Sequence, residues 1–538
     1  MSRLQWALLW IILVVAALLR LPLLERVPNG LLLDEASRGY DAYALAKTGA
    51  DQYGVGWPLF AEGLDDYTPA LFTYLATPFV ALVGPTELAV RLPAAILGVA
   101  SVGLAYLVAS AFFDSWVGLG TAALLAISPW HILPSRTGAE WVLLPAFTML
   151  GTWLALRGMA DDGLRTRDGG RGETDDGRRP SGRDRWLLVA GVVLGLGMYS
   201  YAFARLLLPL LVLGFTVGWQ RELRARWRFA ALGALASALL AAPVLAFSIT
   251  EAGQARLRAV APLGRLGAGD LFGYMFGNYL SYFWPPFLAW GIEPTYHHNL
   301  EGFGPVLPLM VPLVAVGLAD AVRLRDRARL FWLWWLVAAP AASALHRESP
   351  SAVLLLGAIP SWQLFAALGG SRLVCLAGSR SRTAAVVLLG AIVTSGALTA
   401  LLAARALYRD YPVYAAADWE YGAGQAVRLL EERRSAYDDV LVSDRLDTPH
   451  VYVLFYAPVD PASYQRAPIH VRQPNVRSRG EIGAYRFGRL PELLDRPGRH
   501  LVWLPADEAA TLFPTQAPLL AIPYPDGRPA QAVYEARR

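Results

Sequence analysis

Long apolar segments constrain this chain more than any other feature of its sequence. A transmembrane helix needs about 20 largely apolar residues to cross a hydrocarbon core about 30 Å thick. Segments that meet or approach this length recur along the first three quarters of the chain. They lie near 5–24, 88–112, 116–133, 138–157, 186–201, 204–219, 229–249, 303–321, 330–346, 351–370 and 384–408. The sequence therefore predicts an α-helical polytopic membrane protein with about eleven transmembrane helices.

The composition is that of a chain solvated by lipid. Hydrophobic residues make up 55% of the 538 residues, and charged residues make up only 17%. A soluble protein of this size needs more charge to cover its surface. The single cysteine, Cys375, excludes an intrachain disulfide and any cysteine-based metal cluster. No small-residue cleavage site follows the first apolar segment, so we interpret that segment as a retained span and not as a signal peptide.

The arginines indicate how the chain is oriented. Short loops rich in Lys and Arg stay on the cytoplasmic side of a membrane. Four loops have this composition: 157–185, 221–228, 323–329 and 372–382. All four are cytoplasmic if eleven spans follow a cytoplasmic N-terminus, and the same count places 25–87, 251–302 and the tail outside. We therefore expect a multi-pass protein of the cell inner (plasma) membrane with an extracytoplasmic C-terminal domain.

The composition changes near residue 409 to that of a soluble α/β protein. Helical and buried-strand patterns alternate from there, at 424–434, 439–443, 499–504 and 507–513. About 130 residues suffice for a small core. We predict a membrane domain over 1–408, with interfacial helices in its first outer loop, and a small extracytoplasmic α/β domain over 409–538.

Two adjacent carboxylates, Asp34 and Glu35, directly follow an apolar run in the first outer loop. One interpretation is structural: Asp34 caps a surface helix that ends at Gly49. The functional interpretation starts from the cost of placing charge at the membrane boundary. Helical spacing also puts Asp34, Arg38 and Asp41 on one face. A carboxylate and a guanidinium directed at one volume suit a base that works beside a phosphate.

Three motifs resemble a known family. They are Asp34-Glu35 after the first span, Tyr67-Thr-Pro-Ala-Leu-Phe, and Glu87-Leu-Ala-Val-Arg91-Leu-Pro93 at the start of the next span. Together they resemble the polyprenyl-phosphate-dependent C-type (GT-C) glycosyltransferases of the family 39 kind, whose relatives include the protein O-mannosyltransferases and the lipid A aminoarabinose transferases. The resemblance extends more loosely through the membrane region and says little about the tail.

The resemblance implies a membrane enzyme that moves a sugar from a polyprenyl-phosphate donor to a hydroxyl acceptor on the outer face. It implies that Asp34 is the catalytic base, and Glu35 matches the second acid of the family's Asp-Glu pair. We expect Glu35 to orient the acceptor or the loop. Side chains adjacent in sequence diverge on a helix, so the reaction is expected to be a single inverting displacement. Thr68-Pro69 replaces a common Pro-Pro, which leaves the acceptor class open among protein, lipid and glycan.

Arginines at outer junctions are the candidate ligands of the donor phosphate, because a guanidinium binds phosphate through paired hydrogen bonds. They are Arg38, Arg136, Arg205 and Arg347. Alternatively, Arg38 pairs with Asp34 or Asp41, Arg136 pairs with Glu140, and the other two only reach toward the interface. The candidate substrate-binding residues are Asp41, Tyr67, Glu140, His297 and His298.

No cofactor is expected to be required. His297 and His298, near Glu293 and Glu301, leave a divalent metal open, although adjacent histidines rarely ligate one ion together. The expected partners are the lipid-linked sugar, membrane lipid and the acceptor, and no nucleic acid. The rival functions are a lipid or sugar transporter or flippase, and a non-catalytic assembly factor. Transporters tend to carry ionisable residues near mid-span, whereas the acids here cluster in outer loops.

Overall fold

The computed structural model describes residues 2–63, 67–159, 183–262, 266–293, 299–467, 470–473, 476–478 and 480–538. Its first part contains α1 (Arg3–Arg20), α2 (Leu33–Thr48), α3 (Leu71–Val83), α4 (Glu87–Phe112), α5 (Ser115–Ala126), α6 (Pro129–Ile132) and α7 (Leu143–Met159). A hairpin of β1 (Phe60–Glu62) and β2 (Tyr67–Pro69) lies between α2 and α3.

The second part of the membrane region is also helical. It contains α8 (Arg185–Gly197), α9 (Ala204–Gly218), α10 (Gln220–Ala225), α11 (Trp227–Ser248), α12 (Glu251–Val260), α13 (Ala268–Ser281), α14 (Pro285–Trp290), α15 (Met310–Leu324), α16 (Arg327–Ser343), α17 (Ser361–Arg380) and α18 (Arg382–Arg405). Each predicted apolar segment therefore overlaps a helix. The segments predicted at 303–321 and 351–370 are α-helical only from Met310 and Ser361 onward, and the segment predicted at 116–133 is broken between α5 and α6.

Among the described residues, five helices are long and apolar enough to cross a membrane. They are Arg3–Arg20, Glu87–Phe112, Glu140–Met159, Trp227–Ser248 and Arg382–Tyr414. The bent pair Ser115–Ala126 and Pro129–Arg136 makes a sixth if it forms one span. Three other apolar helices, α3, α8 and α9, are shorter than 18 residues. The fold is that of a multi-pass membrane protein, and the total of about eleven crossings stays a prediction.

The break between α5 and α6 is stabilised by a buried arginine. The two halves are bent by 71°, which leaves carbonyl groups at the end of α5 without helical partners. Arg20, which is fully buried, donates to the carbonyl oxygens of Leu125 and Ala126 at 3.1 and 2.9 Å. It also lies 2.9 Å from His131 Nδ1. Irregular backbone at membrane depth is tolerated where protein groups satisfy it in this way.

The C-terminal part is an α/β structure, as predicted. Its helices are α19 (Tyr411–Tyr414), α20 (Ala423–Arg433), α21 (Pro449–Tyr456), α22 (Pro461–Arg466), α23 (Leu490–Leu493) and α24 (Ala506–Leu512). Its strands are β3 (Asp439–Ser443), β4 (His470–Gln473), β5 (Val476–Ser478), β6 (Glu481–Ile482), β7 (Tyr485–Gly488), β8 (Arg499–Pro505), β9 (Leu520–Pro523) and β10 (Pro529–Arg537). The helices predicted at 424–434 and 507–513 and the strands predicted at 439–443 and 499–504 are confirmed.

Six of these strands form one mixed sheet in the order β6-β7-β3-β8-β10-β9. The central strand β3 runs parallel to β7 and β8, and the remaining pairs are antiparallel. All five residues of β3 are buried, as expected for a strand with parallel neighbours on both sides.

The sheet has two hydrophobic clusters, and one of them, which includes Leu441, Val502 and Leu504, lies entirely within the C-terminal part. Another hydrophobic cluster joins side chains of α2, α3 and α4, such as Tyr40, Phe72 and Val90, to side chains of the C-terminal part, such as Val440 and Phe455. These residues are at most 1% exposed. The C-terminal part therefore packs directly on the elements that carry the predicted catalytic residues.

Candidate active site

The start of α2 carries the predicted catalytic pair. The helix begins at Leu33, and its N-cap is Leu32. The Glu35 carboxylate accepts a hydrogen bond from the Leu32 amide at 3.1 Å, which is the return half of a capping box. The prediction that Asp34 is the N-cap is therefore wrong, because Glu35 supplies the capping acceptor and Asp34 lies in the first turn. Gly49 ends the helix with a φ of +72°, as predicted.

Glu35 forms a buried two-point ion pair with Arg91 of α4. Arg91 Nε donates to Oε1 and Nη2 to Oε2, each at 2.9 Å. Both side chains are 0% exposed. The amide of Gly138 donates to Glu35 Oε1 at 2.5 Å. Glu35 therefore has no exposed surface in this structure, and its predicted role of orienting the acceptor or the loop stays a prediction.

Arg91 also fixes the chain that leads into α2. Its Nη1 donates to the carbonyl oxygens of Leu24 and Pro28 at 2.8 and 2.9 Å. Its Nη2 donates to the carbonyl oxygen of Gly30. One guanidinium thus ties α4 to three carbonyl groups of the segment between α1 and α2.

Asp34, Arg38 and Glu140 form the second charged cluster. Arg38 Nη1 lies 3.4 Å from the Asp34 carboxylate, and Nη2 lies 2.7 Å from Glu140. The side chains of Arg38 and Glu140 are only 7% and 3% exposed, whereas that of Asp34 is 52% exposed. Arg38 therefore links the buried Glu140 carboxylate to the exposed Asp34 carboxylate. Glu140 pairs with Arg38 here and not with Arg136.

Asp41 is buried below this cluster, and this contradicts its prediction as a substrate-binding residue. It is 2% exposed, and its carboxylate accepts from the Gln52 amide at 2.9 Å. The Gln52 side chain in turn donates to Ser37 Oγ at 3.0 Å. Burial raises the pKa of Asp41 well above its ordinary value, while the Gln52 amide acts in the opposite direction. Asp41 anchors the chain that follows α2.

Arg136 is also buried, so its predicted contact with phosphate is wrong in this structure. It is 0% exposed, and its three nitrogens donate to main-chain oxygens of the segment after α1. The acceptors are Leu19, Arg20, Pro22, Leu23 and Val27, at 2.8 to 3.3 Å. These bonds occupy the guanidinium that the donor phosphate would need.

Of the remaining predicted residues, the structure describes Tyr67, Arg205 and Arg347. Tyr67 in β2 packs edge to face against Phe247 at 5.7 Å between ring centroids. Arg205 is half-buried in the first turn of α9, and Arg347 is exposed after α16. Their neighbours Phe203 and His346 are in ring contact at 6.3 Å. The structure thus brings the junctions of Arg205 and Arg347 together. His297 and His298 lie outside the described residues.

The described part of the chain contains no group of three His, Cys, Asp or Glu side chains that could hold a metal ion. Glu293, which the sequence placed near the two histidines, accepts from the Ala352 amide at 2.6 Å. Burial raises the pKa of Glu293 to about 8. A divalent metal stays a hypothesis.

Sequence reasoning missed Arg91 as part of the site. It appeared only within the motif that opens the second span. A charge inside an apolar span is costly unless it is paired, and this signal could have identified Arg91 as the partner of an outer-loop acid. Nothing local to Glu35 indicates a partner 56 residues away.

Removal of the Arg91 cation should be costly. Arg91→Met leaves the Glu35 carboxylate buried without its partner, and we expect the free energy of unfolding to fall by about 3–5 kcal/mol. Adding Glu35→Gln should recover part of this loss, because it removes the unpaired buried charge. The three carbonyl groups that Arg91 binds still lack their donor, so the recovery should be incomplete. Denaturant unfolding in detergent micelles, applied to both single variants and the double variant, measures the coupling. Additive losses would contradict the pairing.

Because the Asp41 carboxyl is buried, replacing it with an amide should stabilise the protein by an amount that depends on pH. The pKa of Asp41 is higher in the folded than in the unfolded chain. Below the ordinary pKa the carboxyl is neutral in both states and has no effect, whereas at higher pH the cost of burying its charge destabilises the folded state. Asp41→Asn keeps the acceptor for Gln52 and should raise Tm at pH 7, and the gain should vanish near pH 4, about the ordinary carboxyl pKa. Tm measured across this range, with the exposed Glu25→Gln as control, tests this. An equal gain at both pH values would show that charge is not the cause.

The comparisons with known proteins agree with this fold. A family model described as dolichyl-phosphate-mannose-protein mannosyltransferase matches residues 67–166. No curated protein matches the chain by sequence. Among solved structures, ArnT from Cupriavidus metallidurans bound to undecaprenyl phosphate is 13% identical with a TM-score of 0.57, and the match covers 99% of this chain and 98% of ArnT.

A second similar structure is the oligosaccharyltransferase of Archaeoglobus fulgidus tethered with an acceptor peptide. It is 13% identical with a TM-score of 0.53, and the match covers 85% of this chain and 63% of that protein. The same archaeal enzyme, AglB, in complex with an inhibitory peptide and a dolichol-phosphate gives a TM-score of 0.50 at 14% identity. The chain is thus a multi-pass membrane protein whose fold is similar to those of ArnT and the archaeal oligosaccharyltransferase, and its residues 67–166 match the mannosyltransferase family model.

Proposed function

We propose that this protein is a membrane glycosyltransferase that moves a sugar from a polyprenyl-phosphate donor to a hydroxyl acceptor. The fold and the family-model match support a transferase of this class. The donor class is supported by the relatives, since ArnT binds undecaprenyl phosphate and AglB binds a dolichol-phosphate. The acceptor is a hydroxyl of a protein, a lipid or a glycan.

One observation carries the proposal. Of the five acids on or beside α2, namely Asp34, Glu35, Asp41, Asp51 and Glu140, only Asp34 is exposed. The other four are buried and bound by protein groups. A general base must reach the proton that it removes, so Asp34 is the acid of this cluster that can act on a substrate.

The proposed reaction is one displacement at the anomeric carbon. The acceptor hydroxyl oxygen attacks this carbon while its proton passes to the Asp34 carboxylate. The bond between the anomeric carbon and the phosphate oxygen breaks, and its electron pair leaves with the polyprenyl phosphate. One exposed carboxylate suits inversion, because retention requires a second carboxylate across the sugar, about 5 Å away.

Arg205 and Arg347 are the proposed ligands of the departing phosphate. Arg136 is bound to main-chain carbonyls, and Arg38 is bound to Asp34 and Glu140. The junctions of Arg205 and Arg347 meet through Phe203 and His346. Two guanidinium groups at one junction would stabilise the charge that develops on the leaving group.

The reaction is proposed for the outer face of the cell inner membrane. The arginine-rich loops are then cytoplasmic, and α2 and the C-terminal domain lie outside. A donor that is already linked to a lipid carries its own leaving group, so the reaction needs no soluble nucleotide sugar on that side.

Asp34→Asn should abolish turnover without loss of folding or donor-lipid binding. We expect turnover to fall by about 10²-fold or more, because the amide is no longer a base. Consumption of polyprenyl-phosphate sugars from the host's own lipid extract measures turnover, and binding of undecaprenyl phosphate measures the donor site. Glu25→Gln, an exposed acid in the same outer loop, is the control and should keep full activity. Turnover that survives Asp34→Asn would remove this residue from the mechanism.

The orientation can be tested by cysteine labelling. In a Cys375→Ser background, Glu25→Cys and Ala225→Cys each provide one exposed thiol, on the outer loop and in a cytoplasmic loop of the proposed topology. A membrane-impermeant maleimide should label the first in intact spheroplasts and the second only after permeabilisation. The reverse pattern would place Asp34 in the cytosol and overturn the proposed function.

A further inference from the structure

The C-terminal part binds both polar groups of the residue before the N-cap of α2. The Leu31 amide donates to the carbonyl oxygen of Trp419 at 2.9 Å. The Tyr452 hydroxyl donates to the carbonyl oxygen of Leu31 at 3.2 Å. Leu31 is 1% exposed, so these two bonds replace water at the peptide that leads into the helix.

The approach of the two chains at this point is very close. A Cβ atom on Gly30 would lie 1.9 Å from the Trp419 carbonyl oxygen. Trp419 is 0% exposed, and its ring lies beneath the Arg91 guanidinium at 5.5 Å. Its indole Nε1 donates to the Tyr411 hydroxyl at 2.7 Å. Trp419 is therefore fixed from several sides, and it contacts the cation that pairs with Glu35.

The C-terminal part also holds the middle and the end of α2. The Tyr40 hydroxyl donates to the carbonyl oxygen of Val459 at 3.0 Å. Gln465 donates to Thr48 Oγ1 at 3.0 Å and to the carbonyl oxygen of Asp51 at 2.8 Å. Contacts along the whole helix resist both a shift and a tilt.

We infer that Trp419 and Tyr452 are positioning residues of the active site, which set the place of Asp34 through the peptide at Leu31. This inference rests on the proposed function. Asp34 is in the first turn of a helix whose start these two residues fix, so movement of that peptide moves the carboxylate. A misplacement of about 1 Å in an active site can lower the rate by about 10²-fold.

The test compares two buried tyrosines of the C-terminal part. Tyr452→Phe removes only the hydroxyl that binds Leu31. Tyr485→Phe is the matched control, because Tyr485 is equally buried and its hydroxyl donates to Glu431 at 2.7 Å, away from α2. We expect Tyr452→Phe to lower kcat about 10-fold with an unchanged KM for the donor. We expect Tyr485→Phe to leave both constants unchanged.

Hydrogen exchange gives a second measurement that does not depend on catalysis. In an Asp34→Asn background, Tyr452→Phe should accelerate exchange in the peptide 29–36, which contains the Leu31 amide, and Tyr485→Phe should not. Gly30→Ala is a second variant that presses on the Trp419 carbonyl without removing a polar group, and it should act in the same direction as Tyr452→Phe.

The outcomes separate the two proposals. Unchanged exchange and unchanged kcat in both Tyr452→Phe and Gly30→Ala would overturn the positioning role. Equal effects of Tyr452→Phe and Tyr485→Phe would also overturn it, because general loosening of the C-terminal part would then be the cause. Full activity of Asp34→Asn would refute the proposed base, while the exchange data would still decide whether the C-terminal residues fix the start of α2.

Discussion

The ion pair between Glu35 and Arg91 is the interaction on which the packing of α2 against α4 depends. A guanidinium has five N–H groups, and those of Arg91 meet two carboxylate oxygens and the carbonyl oxygens of Leu24, Pro28 and Gly30. Burying two charges is expensive unless every group finds a partner. Here the geometry meets that requirement, and it locks the entry to α2 against α4.

This pair also explains the division of labour between the two adjacent acids. Glu35 points inward, and its carboxylate oxygens accept hydrogen bonds from the amides of Leu32, which caps the helix, and Gly138. Asp34 is the next residue back on the helix and therefore faces another direction, toward solvent. The two carboxylates look equivalent in the sequence, but Glu35 is fully buried, whereas the Asp34 side chain is 52% exposed.

Much of the fold could be predicted because its causes are local. Apolar length identifies the helices of the membrane region, and alternating patterns identify β3 and β8. The proximity of Asp34 and Arg38 follows from helical spacing, and the ion pair is present. Glu140 joins this pair from another element, which spacing does not reveal.

The incorrect predictions concern partners that the local sequence pattern does not reveal. Arg136 looked available for phosphate because it lies at an outer junction. Its acceptors are carbonyl groups 109 to 117 residues earlier in the chain, and backbone acceptors leave no signal in a sequence. Asp41 was predicted to bind substrate, but its carboxylate accepts from the Gln52 amide in the turn after α2, and a backbone donor likewise leaves no signal in a sequence. The change of composition near residue 409 likewise did not show that the hydrophobic core runs across it.

That common core has a consequence for how the protein is made. Leu31 and Tyr452 are separated by 421 residues, so the first outer loop is synthesised long before the chain that holds it. Until the last quarter of the protein has been translated, the start of α2 lacks the hydroxyl and carbonyl that fix it. The site is therefore assembled at the end of biogenesis, and a truncated chain would insert its helices yet leave the carboxylate unplaced.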